Sequence, residues 1–149
     1  MKIVHQKLDY SADWALPNIY LFTGNPVRKN NGAIVMGRGA AKQVRDTYPG
    51  LDLLYGNKLA DKPDAHLIWL FIGANPDKVL GWFKVKHHWQ DPADLELIQQ
   101  STKQLKQIAE HVPHYVFHIN FPGVGNGKLT EEDVLPILET LPDNVRIYR

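Results

Sequence analysis

Two apolar runs each lead directly into a glycine-rich loop, and that pairing restricts the folds open to this chain more than any other feature. Ile19-Tyr20-Leu21-Phe22 enters Thr23-Gly24-Asn25-Pro26-Val27-Arg28-Lys29-Asn30-Asn31-Gly32, and Tyr115-Val116-Phe117-His118-Ile119-Asn120 enters Phe121-Pro122-Gly123-Val124-Gly125-Asn126-Gly127-Lys128. Short apolar runs bounded by proline, glycine and asparagine read as buried strands. Beyond the first loop, Ala40 to Arg45 turns helical until Pro49-Gly50. Beyond the second, Leu129-Thr130-Glu131-Glu132-Asp133-Val134 opens a helix. In open α/β sheets, ligands sit outside the carboxyl ends of the strands. Glycine lets the backbone approach a ligand closely, and successive N–H groups at a loop-to-helix junction form an anion nest. Two such loops are suited to grip a diphosphate from both sides.

The remaining pattern agrees with a layered α/β chain. Ile3 to Leu8 reads as a strand, and His66 to Ile72 and Val79 to Val85 read as a hairpin around the turn cluster Gly73-Ala74-Asn75-Pro76-Asp77. Asp91-Pro92 places an N-cap before a proline at the first helical position. The helix then runs to about His111, with Leu95, Ile98, Leu105 and Ile108 on one face. Thr130 is placed to cap the next helix, while Pro136 within it moves the expected regular start toward Glu132. Val145 to Tyr148 closes the chain as a strand. The order β-β-α-β-β-α-β-α-β predicts a mixed sheet with helices on both faces. A length of 149 residues suits one domain spanning 1–149, since a core serves ~100–200 residues.

Composition narrows the chemistry. Seventeen basic against sixteen acidic residues leave a net charge of +1, so any anion must be held by local geometry and not by a general basic field. The absence of cysteine removes thiolate nucleophiles and cysteine metal sites and fits a reducing compartment, making a cytoplasmic protein the expectation. No apolar stretch approaches the ~20 residues that span a bilayer, and the N-terminus lacks a signal-peptide core. Gly127-Lys128 is followed by Leu129, so this is no Walker loop, and Gly37-Arg38-Gly39 lacks the third glycine of a dinucleotide fingerprint. His87 and His88 are neighbours pointing apart on an extended chain, which argues against a shared metal; no metal or cofactor is expected.

In order along the chain, Asn31-Gly32-Ala33-Ile34-Val35-Met36-Gly37-Arg38-Gly39-Ala40-Ala41-Lys42-Gln43-Val44, then Phe83-Lys84-Val85-Lys86-His87-His88-Trp89, then Phe121-Pro122-Gly123-Val124-Gly125-Asn126-Gly127 resemble the ligand loops and intervening stretch of macro domains. The branch they are most similar to contains ADP-ribosyl glycohydrolases. The resemblance implies a three-layer α/β/α macro domain fold with a mixed sheet of about six strands, binding ADP-ribose or a related NAD-derived metabolite. Gly37, Arg38, Gly39 and Ala40 on one side and Gly123, Val124, Gly125, Asn126 and Gly127 on the other would embrace the diphosphate, with Asn25 and Asn31 near the distal ribose. Asp9 or Asp13 would accept from the adenine amino group, and Tyr148 would border the ring.

The same resemblance implies a catalytic role for Lys86, because a lysine there in the glycohydrolase branch attacks the anomeric carbon with help from an acid in the second loop. An amine nucleophile needs a lowered pKa, which burial or the nearby Arg38 would supply. The family's acid falls at Thr130, which cannot act as a carboxylate, and Glu131 or Glu132 would substitute only with the loop re-routed. The leading expectation is therefore a monomeric ADP-ribose binder without a membrane partner. The alternatives are hydrolysis of ADP-ribose from nucleic acid or protein, dephosphorylation of a phosphorylated ADP-ribose, and sequestration of a signalling ADP-ribose metabolite.

Overall fold

In the computed structural model, which describes residues 1–72 and 77–149, a six-stranded mixed sheet carries the chain. Its strands are β1 (Lys2–Val4), β2 (Asn18–Gly24), β3 (Leu67–Phe71), β4 (Val79–Lys84), β5 (Val116–Asn120) and β6 (Val145–Tyr148). Their order across the sheet is β1-β6-β5-β2-β4-β3, every neighbouring pair being parallel except the antiparallel β3–β4 pair. The hairpin read from the sequence is thus present, while Gly73 to Pro76 of its turn lie outside the described residues.

Four helices, α1 (Gly39–Thr47), α2 (Leu51–Asp61), α3 (Leu95–His111) and α4 (Glu131–Leu138), cover the two faces. Alternation along β2 explains the layering. Phe22 joins Tyr10, Trp14, Val44, Tyr55 and Trp82 in the core beneath α1 and α2, whereas Ile19 and Leu21 join Ile98, Leu105, Phe117, Val134 and Ile147 beneath α3 and α4. The chain leaves β2 toward α1 on one face and returns from β4 through α3 to β5 on the other. The carboxyl end of β2 is therefore a point where connections diverge to opposite faces, the position at which α/β sheets open a crevice.

Four local expectations change. The first strand covers only Lys2–Val4, not Ile3 to Leu8. Helix α2 was not foreseen; it starts immediately after Gly50, whose φ of 94° suits glycine, and carries Gly56 in its interior. Asp94, not Asp91, caps α3, accepting from Glu96 N at 2.8 Å. The reason is tertiary: Ala93 N donates to Gly127 O and Asp94 N to Val85 O, so the Asp91-Pro92 segment is tied between the second glycine loop and the end of β4. Finally, α4 begins at Glu131 and accommodates Pro136 within it; Thr130 caps it through Asp133 N.

Candidate ligand-binding site

A cavity of about 500 Å³ lies at the carboxyl ends of β2, β4 and β5, between the two glycine loops. Of the residues singled out in the sequence, Asn25, Gly37, Arg38, Gly39, Ala40, Lys86, Gly123, Val124, Asn126 and Gly127 line it. Asn31, Gly125, Tyr148, Asp9 and Asp13 are not among its walls.

The first loop is braced by its asparagines. Asn25 is buried, its Oδ1 accepting from Val27 N at 3.0 Å and its Nδ2 donating to Val35 O at 3.3 Å, so its amide spans the loop. Asn31 accepts from Ala33 N, closing the exposed tip. The loop then delivers Gly37 to Ala40 to the start of α1. No side chain caps α1 and no acidic residue occupies its first turn, which leaves its leading N–H groups open toward the cavity. Gly39 has φ of 59°, and a Cβ there would stand 3.0 Å from Asn126 Nδ2 of the opposite loop. The two loops thus approach each other closely there, with positive φ at Gly123 (80°) and Gly125 (67°) turning the second.

Lys86 lies just beyond β4. Its Nζ donates to Asn126 O at 3.2 Å and reaches Trp89 O at 3.5 Å, so it bridges the end of β4 and the second loop. Burial first, then the charges of Arg38 and Lys128, hold its amine below the usual lysine range, while Asp91 acts in the opposite sense. Among the described residues, Lys29, Arg38 and Lys86 all line the cavity and no carboxylate does. Thr130 is occupied as a helix cap, and Glu131 pairs with Arg149 at the end of the chain; neither they nor Glu132 line the cavity. The walls therefore favour an anion and contain no side chain fit to act as a carboxylate base.

A half-buried aromatic group adjoins the cavity across Asn120, which pairs with Tyr148. Trp14 stacks on Tyr20 with centroids 4.4 Å apart, and Tyr20 packs against His118 at 4.9 Å. Burial, followed by the Arg146 charge, pushes His118 down to about 4, so its ring is neutral near pH 7. His118 contacts Asn18 Oδ1 through Nε2 at 2.8 Å and the Tyr148 hydroxyl through Nδ1 at 2.7 Å. Since the asparagine oxygen only accepts, Nε2 carries the proton and Tyr148 donates to Nδ1. Asp9 accepts from Ser11 N and Oγ, which hold its carboxyl below the ordinary range, and its charge helps raise Tyr20 and Tyr48. Asp13 is exposed. His87 and His88 part company as expected, His87 pairing with Asp94 and His88 accepting from Gln90 N.

No protein-family model matches the sequence, and no curated protein matches it either. Solved structures do. The macrodomain of Mycobacterium tuberculosis DarG matches over 98% of this chain and 96% of its own, with a TM-score of 0.73 at 25% sequence identity. The chain has the macrodomain fold. The macrodomain of Thermus aquaticus DarG matches over 99% of this chain and 95% of its own at 21% identity and a TM-score of 0.74. Thermosipho africanus DarTG, solved in complex with ADP-ribose, matches over 89% of this chain and 38% of its own length, at 19% identity and a TM-score of 0.71. Among the described residues, no helix is long and apolar enough to cross a membrane.

Sequence reasoning missed several cavity residues: Thr23, Gly24, Lys29, Val35, Ala41, Val85, Trp89 and Asn120. Thr23, Gly24 and Asn120 were findable, being the last residues of the two strands that enter the loops. Lys29 was not. It reaches the cavity because the chain doubles back through the Arg28–Ile34 bridge, a local pairing that no periodicity announces.

Proposed function

We propose that this protein binds ADP-ribose or a close derivative. The observation that carries the reading is the cavity itself: the uncapped start of α1 and a second loop turned by positive-φ glycines face each other, with Lys29, Arg38 and Lys86 on the walls and no opposing carboxylate. A diphosphate between the loops receives backbone N–H groups from both sides and is neutralised by the three cations. Asn25 and Lys86 then flank the distal ribose. Adenine lies on the aromatic group, against Tyr148, whose ring is oriented by its hydrogen bond to neutral His118. Asp9 and Asp13 are both exposed, and Asp9, whose charge acts on Tyr20 and Tyr48, is the one of the two that accepts from the adenine amino group. The lack of cysteine suits a reducing, cytoplasmic compartment, and the ligand is a small metabolite or an ADP-ribosylated macromolecule bound by a monomer.

Thermal melting with ADP-ribose tests this. Ligand at one hundred times Kd stabilises by about 2.7 kcal/mol, which raises Tm by roughly 5–10 °C for a domain of this size. No shift at millimolar ADP-ribose overturns the proposal.

Lys86 favours a second reading, glycohydrolysis. Its amine is held low in pKa and lies within the cavity, as a nucleophile for an anomeric carbon requires. Borohydride trapping of an adduct on Lys86, absent in Lys86→Ala, supports it; unchanged turnover in that variant rejects it.

A further inference from the structure

At the carboxyl end of the sheet the β2–β5 ladder stops short. Backbone pairing runs from Asn18↔Val116 to Leu21↔Ile119 and no further. Thr23 N, at the end of β2, donates to Asn120 Oδ1 at 3.1 Å, a side-chain oxygen in place of a strand carbonyl. The Tyr10 hydroxyl is wedged into the same gap, 2.7 Å from Leu21 O and 3.2 Å from Asn120 Oδ1. Asn120 Nδ2 donates to Thr23 Oγ1 at 2.9 Å.

These contacts fix the orientation of the Asn120 amide. A backbone N–H can only donate, so the atom facing Thr23 N must be the amide oxygen of Asn120, and the amide cannot be flipped. Its NH₂ group then faces Thr23 Oγ1, which must accept there. The Thr23 hydroxyl proton is consequently turned away from Asn120, and one Asn120 Nδ2 proton has no partner among the described residues. Both residues line the cavity.

We infer that Thr23 and Asn120 form an oriented pair of donors on the cavity floor that binds an acceptor oxygen of the ligand's ribose–diphosphate chain. This rests on the ADP-ribose reading and adds two ligand-contacting residues to it. The floor offers two protons and a single remaining lone pair, on Thr23 Oγ1, to the ligand, so it favours an oxygen acceptor at that position.

Thr23→Val removes one donor at nearly constant shape, and Thr23→Ser keeps it. Asn120→Asp retains an oxygen for Thr23 N and Tyr10 but turns the remaining amide donor into an acceptor, to which the Thr23 hydroxyl then donates, so both donors are lost. Calorimetric titration with ADP-ribose and with ADP, alongside Tm for each variant, reads the effect. A hydrogen bond to a charged or well-placed acceptor is worth about tenfold or more in affinity. Thr23→Val is therefore expected to bind ADP-ribose at least about tenfold more weakly with Tm lowered by only a few degrees for the lost Asn120 bond, Asn120→Asp more weakly still, and Thr23→Ser as the parent does. A loss shared by ADP and ADP-ribose assigns the acceptor to the diphosphate, and a loss seen with ADP-ribose alone assigns it to the distal ribose. Equal affinity of Thr23→Val and the parent overturns the inference while leaving ADP-ribose binding intact. Absence of binding by the parent protein overturns both.

Discussion

Replacing Gly56 by alanine separates helix propensity from packing, because the two predict opposite signs. Gly56 lies inside α2, where alanine is intrinsically better than glycine by about 1 kcal/mol. A Cβ at this position, however, overlaps the Gly32 carbonyl oxygen outright and comes within 2.9 Å of its carbon and 3.2 Å of Ala33 Cα. All three atoms belong to backbone, so no side chain can swing aside. The Gly32 turn is also tied down: Gly32 N donates to Lys29 O, Ala33 N to Asn31 Oδ1, and Ile34 N to Asp52 O of α2 itself. Relief requires α2 and the first ligand loop to separate by more than an ångström, and overpacking of this kind costs about 1–3 kcal/mol or more. With the cost at or above the upper end of that range and the helix gain subtracted, Gly56→Ala destabilises by about 2 kcal/mol, which lowers Tm by roughly 4–8 °C. Because the displaced turn carries Lys29 and leads to Gly37, ADP-ribose affinity falls with it. Calorimetric melts of Gly56→Ala, with Asn57→Ala as an exposed control on the same helix, supply the assay. A Tm for Gly56→Ala above that of the parent would refute the packing argument, since propensity alone would then be in control.

Three other outcomes follow from the site. Lys86→Met keeps the aliphatic stem but removes a cation from the cavity, and is expected to weaken ADP-ribose binding about tenfold with little change in Tm, measured by calorimetry. His118 is held neutral down to about pH 4 in the folded chain, against ~6.5 when unfolded. Between these values the unfolded chain binds more protons. The contribution of His118 is therefore intact above about pH 6.5 and is lost as pH falls toward 4; His118→Gln should show a shallower fall of Tm across that window. Thr130→Asp preserves the cap on α4, because aspartate caps as well as threonine, and should leave the stability within about 0.5 kcal/mol of the parent; a large drop in Tm would show that the threonine methyl matters more than the cap.

The elements that carry the site were legible because their signals are local. Ile19 to Phe22 and Val116 to Asn120 are central strands as their apolar runs indicate, and Thr130 caps α4 through Asp133 N as its spacing indicates. The failures share one cause, tertiary contacts outweighing local preference. Asp91-Pro92 has the stronger cap sequence, yet bonds from Ala93 and Asp94 to Gly127 and Val85 move the cap to Asp94. Helix α2 was hidden because Pro49-Gly50 reads as a stop, and because its interior Gly56 is there to admit the Gly32 carbonyl, a contact 24 positions away. In the site, the glycines were visible as glycines. The Thr23–Asn120 linkage was not, since it joins residues 97 positions apart at the ends of two strands.

The most direct test of ADP-ribose binding is a calorimetric titration of the intact chain with ADP-ribose near pH 7. One saturable site per chain is predicted, with affinity falling in Lys86→Met and in Thr23→Val. Absence of heat at millimolar ligand, or binding that both substitutions leave untouched, would contradict the placement of the ligand between the two glycine loops.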